Sequence, residues 1–296
     1  MDTRHSPKAL LIAGPTASGK SAYAISMAQS RHGVIINADS MQVYREFRVL
    51  TARPSPSEEA REPHRLYGHV SVRESYSVGH WLADVAQAVA AVHAARQLPI
   101  IVGGTGLYFK ALLEGLAPVP PIPPDIRGRW RNAGETWPGE ELYAELVRRD
   151  PLTAQNLRSN DTQRLVRALE VMEATGTPLA EWHKVKGTPV LADHEVEKVV
   201  ITRDRQDLYE RSARRFEVMI EEGALAETAL VGQMGLDPGL PASRVLGFPP
   251  LKRFLSGEIS REEAIETAQR DTRRYIKRQV TWLNRYMISW SRIFTQ

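Results

Sequence analysis

Gly14-Pro15-Thr16-Ala17-Ser18-Gly19-Lys20-Ser21 fits the pattern G-x-x-x-x-G-K-[ST], the residue set of a loop (P-loop) that cradles phosphate. Gly14 and Gly19 lack a Cβ, so the backbone can curl with its N–H groups inward and approach an oxyanion closely. Lys20 adds a mobile point charge for a terminal phosphate, and the Ser21 hydroxyl is the usual place for a Mg²⁺ ligand. The pattern does not choose the phosphate. A nucleoside triphosphate such as ATP is the default, and any diphosphate fits the same cradle. Asp39 is the second candidate: beside such a loop it could be the base for an attacking hydroxyl or a water-mediated Mg²⁺ ligand, which reads as a small kinase or nucleotide hydrolase. Other chemistries lack their residues. With no cysteine there are no disulfides, thiolate metal sites or cysteine nucleophiles, and the eight histidines form no H-E-x-x-H pair. There is no G-x-S-x-G elbow. His64, His69 and His80 read as surface or hydrogen-bonded structural residues.

These residues need elements to hold them. Ala9 to Ala13 reads as a buried strand leading into the loop, and Ala22 to Ala28 continues it as a helix, whose amino terminus adds unpaired N–H groups and the positive end of a dipole. Val34 to Asp39 reads as a second strand ending in the acid, and ligands of open parallel sheets sit at such carboxyl ends. Residues 51 to 76 lack periodicity and suggest a surface excursion. Ser77 is an N-cap for a helix carrying Trp81, Leu82, Val85, Val89 and Val92, and Pro99 to Val102 is a third strand, closed by Gly103-Gly104-Thr105-Gly106. The alternation of strand and helix predicts an α/β fold with a parallel sheet.

The prolyl run Pro118-Val119-Pro120-Pro121-Ile122-Pro123-Pro124 can be neither helix nor central strand and marks a boundary. From there to residue 195 only helical patterns occur, among them Glu140 to Arg149 and a helix with Asp161 as N-cap that ends at Gly176. Strand character returns at Glu197 to Thr202. The expected organisation is a P-loop parallel-sheet core of residues 1–117 and 196–296, interrupted by an all-helical domain of residues 118–195.

The final helix places Ile276, Val280, Leu283, Met287 and Trp290 on one apolar stripe. Arg270, Arg274, Lys277, Arg278 and Arg285 gather opposite it, beside Tyr275, Trp282 and Tyr286, an arrangement suited to phosphate contact and base stacking. The net charge of +4 over 296 residues is compatible with an anionic partner. Met1 to Pro7 carries no apolar signal core and no run approaches membrane-spanning length, so a cytoplasmic protein is expected. No long apolar stripe is left over, so a monomer is expected.

Five motifs in order, GPTASGKS at 14–21, ADSMQVYR at 38–45, PIIVGGTGLYFKALLEGL at 99–116, NDTQRLVRALEV at 160–171 and TRRYIKRQVTWL at 272–283, together resemble the tRNA dimethylallyltransferase (tRNA isopentenyltransferase) family over nearly the whole chain. The resemblance implies transfer of a dimethylallyl group from dimethylallyl diphosphate to the exocyclic N6 amine of the adenine 3′ of the anticodon, in tRNAs reading U-initial codons, with release of diphosphate. It implies that Gly14, Pro15, Thr16, Ala17, Ser18, Gly19, Lys20 and Ser21 hold the donor's diphosphate with Mg²⁺ at Ser21. Asp39, Thr105 and Arg211 are the implied catalytic residues: Asp39 as general base, Thr105 against donor or target nucleotide, Arg211 toward the leaving charge. Contacts to the tRNA anticodon stem-loop are implied for Asp39, Ser40, Met41, Gln42, Asn160, Asp161, Thr162, Gln163, Arg164, Arg244, Gly247, Lys277, Arg278, Gln279 and Trp282. The target adenine is expected to flip out of its stack into a channel between the domains. The chain departs from the family pattern at Leu50 and Arg53, at Gly68, and at Phe248-Pro249-Pro250, which puts the implied tRNA contacts from Arg244 to Phe248 in question.

Overall fold

A computed structural model describes residues 7–295; the amino-terminal stretch read for a signal core lies, but for Pro7, outside them. The chain divides into two compact units, residues 1–113 with 190–296, and residues 114–189.

In the first unit the elements run β1 (Ala9–Ala13), α1 (Lys20–Arg31), β2 (Gly33–Asn37), α2 (Pro56–Arg61), β3 (His64–Arg65), α3 (Val78–Ala94), β4 (Leu98–Gly103) and α4 (Gly106–Glu114). The second unit holds α5 (Pro124–Thr136), α6 (Gly139–Arg149), α7 (Pro151–Ala154), α8 (Thr162–Thr175) and α9 (Leu179–Trp182). The first resumes with β5 (Val196–Thr202), α10 (Arg205–Glu221), α11 (Ala224–Gln233), α12 (Phe248–Leu255), α13 (Arg261–Tyr286) and β6 (Ser291–Phe294).

The six strands form one sheet in the order β3-β2-β4-β1-β5-β6, parallel throughout. Because helices cover both faces, β1 is buried along its whole length, and its residues alternate between two cores. Ala9, Leu11 and Ala13 face Trp81, Val85, Phe109 and Leu112; Leu10 and Ile12 face Ala24, Ile25 and Ala28 of α1. The register pairs Ala13 with both Gly103 and Val200, so β1 and β4 end level with one another and β5 runs two residues further, to Thr202. A third core joins residues 43–50 to α10 through α13.

The segment read as a surface excursion contains a capped helix, α2, and an edge strand, β3, of two residues, too short to leave an alternation in the sequence. Pro99 to Val102 is therefore the fourth strand, not the third. The apolar stripe of α13 holds, with Ile276 and Leu283 buried, but the helix stops at Tyr286; Met287 and Trp290 bury their side chains beyond its end, where the chain turns into β6. All five cations opposite the stripe are exposed.

In the second unit α8 lies against α5 and α6 and buries Leu165, Val166, Ala168 and Leu169 with Trp130, Leu142 and Leu146. Gly176 terminates it at φ 65°, where a side chain would be strained. Asp161 occupies its N-cap position without making the cap hydrogen bond; its carboxylate pairs with Arg164 instead. Among the described residues no helix is long and apolar enough to cross a membrane.

Candidate active site

The phosphate-pattern loop leaves the carboxyl end of β1 and closes into α1. Gly14 has no room for a side chain: a Cβ would fall 2.6 Å from the Ile201 carbonyl oxygen and 2.7 Å from Ser18 Oγ. Gly19 stands at φ 90° as the N-cap of α1, a left-handed conformation that glycine adopts at little cost. Ala17 is held at φ 67°, an uncommon conformation for a residue with a Cβ, of the kind that concentrates at ligand sites. From below, Thr295 Oγ1 donates to the Ser18 carbonyl at 2.9 Å. Ser18 Oγ is buried with no hydrogen-bond partner among the described residues, a polar group available to a ligand or water.

A cavity of about 320 Å³ opens over this loop, lined by Ala17 to Ala22 and by Arg211, Arg214 and Arg215 of α10. Arg211 Nε donates to the Ala17 carbonyl at 3.3 Å, and Lys20 Nζ to the Pro15 carbonyl at 3.3 Å. Among the described residues none of Lys20, Arg211 and Arg215 forms an ion pair with a carboxylate; Arg214 makes one, at 3.9 Å with Glu210. Burial pushes Lys20 down to about 8, opposed by the charge of Asp39 and reinforced by Arg215. Arg215 is also lowered, by burial first, with Asp39 opposing and Arg211 adding to it. Crowded, desolvated cations of this kind gain most when an anion enters. Arg215 lies outside the sequence motifs; its signal is the i, i+4 spacing from Arg211, which puts both guanidinium groups on one face of α10.

Asp39 lies just past the end of β2, within electrostatic range of both Lys20 and Arg215. Its backbone is fixed by the fully buried Asn37, whose Oδ1 accepts the Asp39 N–H at 2.8 Å and whose Nδ2 donates to the Asp39 carbonyl at 2.9 Å. Asp39 Oδ1 accepts the Met41 N–H, while a Cβ on Gly104 would fall 3.5 Å from Oδ2. Three buried phenols lie within electrostatic range of the acid. Tyr67, Tyr108 and Tyr275 are each raised in pKa by burial and next by the Asp39 charge, so they stay neutral beside it. Thr105, opening the turn after β4, accepts the Ser40 N–H at 3.0 Å and donates to Ser40 Oγ at 3.2 Å. The carboxyl ends of β1, β2 and β4 thus bring the loop, Asp39 and Thr105 together, and α10 adds Arg211 and Arg215.

The residues expected to touch RNA fall into two groups. Arg244, Lys277, Arg278, Asn160, Gln163 and Arg164 are exposed, with Asp161 and Thr162 partly so. Others are engaged by the protein itself. Gln42 Nε2 donates to the Thr51 and Ala52 carbonyls at 2.9 and 2.7 Å. Gly247 is buried, at φ 88°, against Phe216 and Leu50. Phe248 packs edge-on to Phe47 at 5.2 Å, so the departures at 50 and 248 are core residues of one cluster, and Pro249 and Pro250 sit in the first turn of α12, where no N–H partner is lost. Arg53, another departure, lies over Gly68, where a Cβ would fall 2.0 Å from its Nη1; the two departures fit each other. Trp282 is partly buried over Gly106, with Tyr286 at 4.5 Å. Gln279 is turned inward, toward the loop, rather than outward with its neighbours Lys277 and Arg278.

Comparison with known proteins agrees in all its forms. The IPP transferase family model matches residues 42–286 and the isopentenyl transferase model residues 7–76. The chain is 52% identical over 286 residues to the tRNA dimethylallyltransferase of Azorhizobium caulinodans, covering 97% of this chain and 92% of that one. It is 48% identical over 290 residues to the protein of that name from Parvibaculum lavamentivorans, covering 98% and 91%. Among solved structures, the full-length tRNA isopentenylpyrophosphate transferase of Bacillus halodurans matches with a TM-score of 0.68 at 30% identity, over 97% of this chain and 90% of that one. A eukaryotic dimethylallyltransferase acting on tRNA matches with a TM-score of 0.83 at 27% identity, over 97% and 73%.

Proposed function

The chain belongs to the tRNA dimethylallyltransferase family, and on that premise we propose that it transfers a dimethylallyl group from dimethylallyl diphosphate to the exocyclic N6 amine of the adenine 3′ of the anticodon in tRNAs reading U-initial codons. The observation that carries this reading is the pairing of a cationic nest, lined by Lys20, Arg211 and Arg215 without carboxylate partners among the described residues, with the Asp39 carboxylate close enough to act electrostatically on Lys20 and Arg215. A nest of this kind suits a leaving diphosphate, and the neighbouring acceptor suits a nucleophile that must lose a proton.

The reaction divides accordingly. The allylic carbon–oxygen bond breaks and its electron pair passes to the diphosphate, where the loop N–H groups, Lys20, Arg211 and Arg215 stabilise the new charge. The adenine amine supplies the electron pair for the new carbon–nitrogen bond, and its proton goes to Asp39. Delocalisation into the purine makes that amine a poor nucleophile, so an acceptor for its proton is worth about 10²–10⁴-fold. Thr105, tied to Ser40, holds the segment carrying Asp39 against the end of β4.

Mg²⁺ fits the rim of the nest through Ser21. The described residues offer no group of three or more acidic or histidine ligands, so a metal there would complete its oxygen shell with diphosphate and water. When bound, it neutralises diphosphate charge. Asn160 to Arg164 and the exposed cations of α13 are proposed to contact tRNA. The protein is proposed to act in the cytoplasm as a monomer.

The test is to incubate the protein with unmodified tRNA, dimethylallyl diphosphate and Mg²⁺, digest the RNA and look for prenylated adenosine by mass. Product at the adenine 3′ of the anticodon is expected. Transfer of the terminal phosphate of ATP to a small acceptor, with no change in the RNA, would overturn the proposal.

A further inference from the structure

Gln279 is 5% exposed in a helix whose neighbouring residues Lys277 and Arg278 face solvent. Its Oε1 accepts the Thr16 N–H at 2.9 Å, and its Nε2 donates to the Gly104 carbonyl at 3.1 Å. One side-chain amide therefore spans from the phosphate loop to the turn after β4. Gly104 is what admits it: a Cβ there would fall 2.2 Å from Nε2. The Tyr275 phenol lies close enough to Thr105 and Gln279 for both to act on its titration, and the Trp282 ring covers Gly106 so closely that a Cβ would fall 2.2 Å from Cε3. The inward face of α13 is thus fitted in succession to Gly104, Thr105 and Gly106, with the amide reaching past them to the loop.

A buried amide is costly unless all its groups are bonded, and an apolar residue would fill the same space without that demand. What an apolar residue cannot do is hold the Thr16 N–H and the Gly104 carbonyl at a fixed separation. Both groups belong to segments that frame the site: Thr16 to the nest, Gly104 to the turn beside Asp39. The opposite face of α13 carries the exposed Arg270, Arg274, Lys277, Arg278 and Arg285. A continuous helix transmits a displacement of one face to the other, and hydrogen bonds of this length weaken with shifts of a few tenths of an ångström.

We infer that Gln279 is a positioning residue that couples the cationic face of α13 to the diphosphate nest, so that RNA held on the outside of the helix favours the arrangement of loop and β4 turn that receives the donor. The inference rests on the proposed reading of the chain as a prenyl transferase acting on tRNA. The two states are the hydrogen bonds of the Gln279 amide made and those hydrogen bonds broken; RNA and diphosphate each favour the first. Coupling of this sort is reciprocal, so diphosphate must tighten RNA binding by the same factor as RNA tightens diphosphate binding.

The experiment uses the full chain, unmodified tRNA, and inorganic diphosphate with Mg²⁺ as the nest probe. In the wild type, diphosphate should tighten tRNA binding by about 5-fold or more, within the usual range of coupling between sites. Gln279→Leu should leave the tRNA Kd without diphosphate within about twofold of wild type, abolish the tightening, and raise the KM for dimethylallyl diphosphate by about 10-fold, in keeping with a coupling of this size. Gln279→Glu keeps an acceptor for the Thr16 N–H but loses the donor to Gly104. It serves if the leucine variant fails to fold, and should also lose the tightening while retaining tRNA affinity. Two results would overturn the inference: a loss of tRNA affinity without diphosphate as large as that of Lys277→Ala with Arg278→Ala, which would make Gln279 a direct RNA contact, or unchanged donor KM and tightening in both variants. Failure of the wild type to prenylate tRNA would sink the underlying reading instead, while diphosphate binding by the Gln279 variants would still report on the clamp.

Discussion

The helical unit and the surroundings of the phosphate loop handle charge in opposite ways. In the helical unit cations meet anions of the same unit: Arg129 and Arg149 converge on Glu173, which also accepts the Trp130 indole N–H at 3.0 Å, Arg149 and Arg148 share Glu145, and Arg131 and Arg167 flank Glu170. Around the phosphate loop Lys20, Arg211 and Arg215 crowd together, with carbonyl oxygens as the hydrogen-bond partners of the first two among the described residues and Asp39 as a more distant counter-charge. Paired charge serves the fold, and removing one partner weakens it. Charge held close without a partner is a standing cost that an incoming anion relieves, which is what a binding site requires.

That contrast can be broken by substitution. The largest effect is expected at Asp39: Asp39→Ala should lower single-turnover prenylation at saturating tRNA by about 10²–10⁴-fold. A near-normal rate would remove the base assignment and leave the acid as a mere counter-charge. Lys20→Met should come next, with a rate loss of about 10²–10³-fold, the usual scale for one group stabilising developing negative charge. The same variant should melt at or above the wild-type temperature without ligand, since a desolvated cation has gone, and should lose the stabilisation that inorganic diphosphate confers on the wild type.

Glu173→Gln tests the other side. Here the prediction is a loss of stability of about 1–2 kcal/mol, because two guanidinium groups lose their shared counter-charge, with transfer at saturating substrates close to wild type. If it instead spared stability and abolished activity, the division between paired charge in the helical unit and unpaired charge at the loop would be wrong. The smallest effect is a pH dependence. Lys20 is protonated below about 8 in the free protein, so kcat/KM for the donor should fall as pH rises through about 8. Bound diphosphate favours the protonated form and raises its pKa, so kcat should stay level over that range. Parallel fall of both parameters would assign the limb to another group.

How much of this was legible follows from the range of the interactions. The loop, Asp39 at a strand end and the helical stretch after the prolyl run depend on local backbone preference, on hydrophobic period and on residue types whose roles are set within a few positions. These could be read directly: Gly14 and Gly19 stand where a cradle needs them, Ser77 caps α3, and the five cations of α13 do share an exposed face. The edge strands β3 and β6 could not, because two and four residues carry too little pattern and pair only with strands distant in sequence. The same limit hid the inward bonds of Gln279: the resemblance implied a contact to tRNA for it, and only the approach of α13 to Thr16 and Gly104 shows its amide bonded to both.

The sequence by itself determined the kinds of group available, a phosphate-cradling loop, an acid and a basic helix, since residue type and local spacing are chemical facts independent of the fold. The tertiary structure alone decided which cations go without partners, which glutamine spans to the loop, and that Leu50 and Phe248 belong to the core. Those outcomes depend on separations between segments far apart along the chain, and the burial and dielectric that give a charge its energy exist only once the segments have packed.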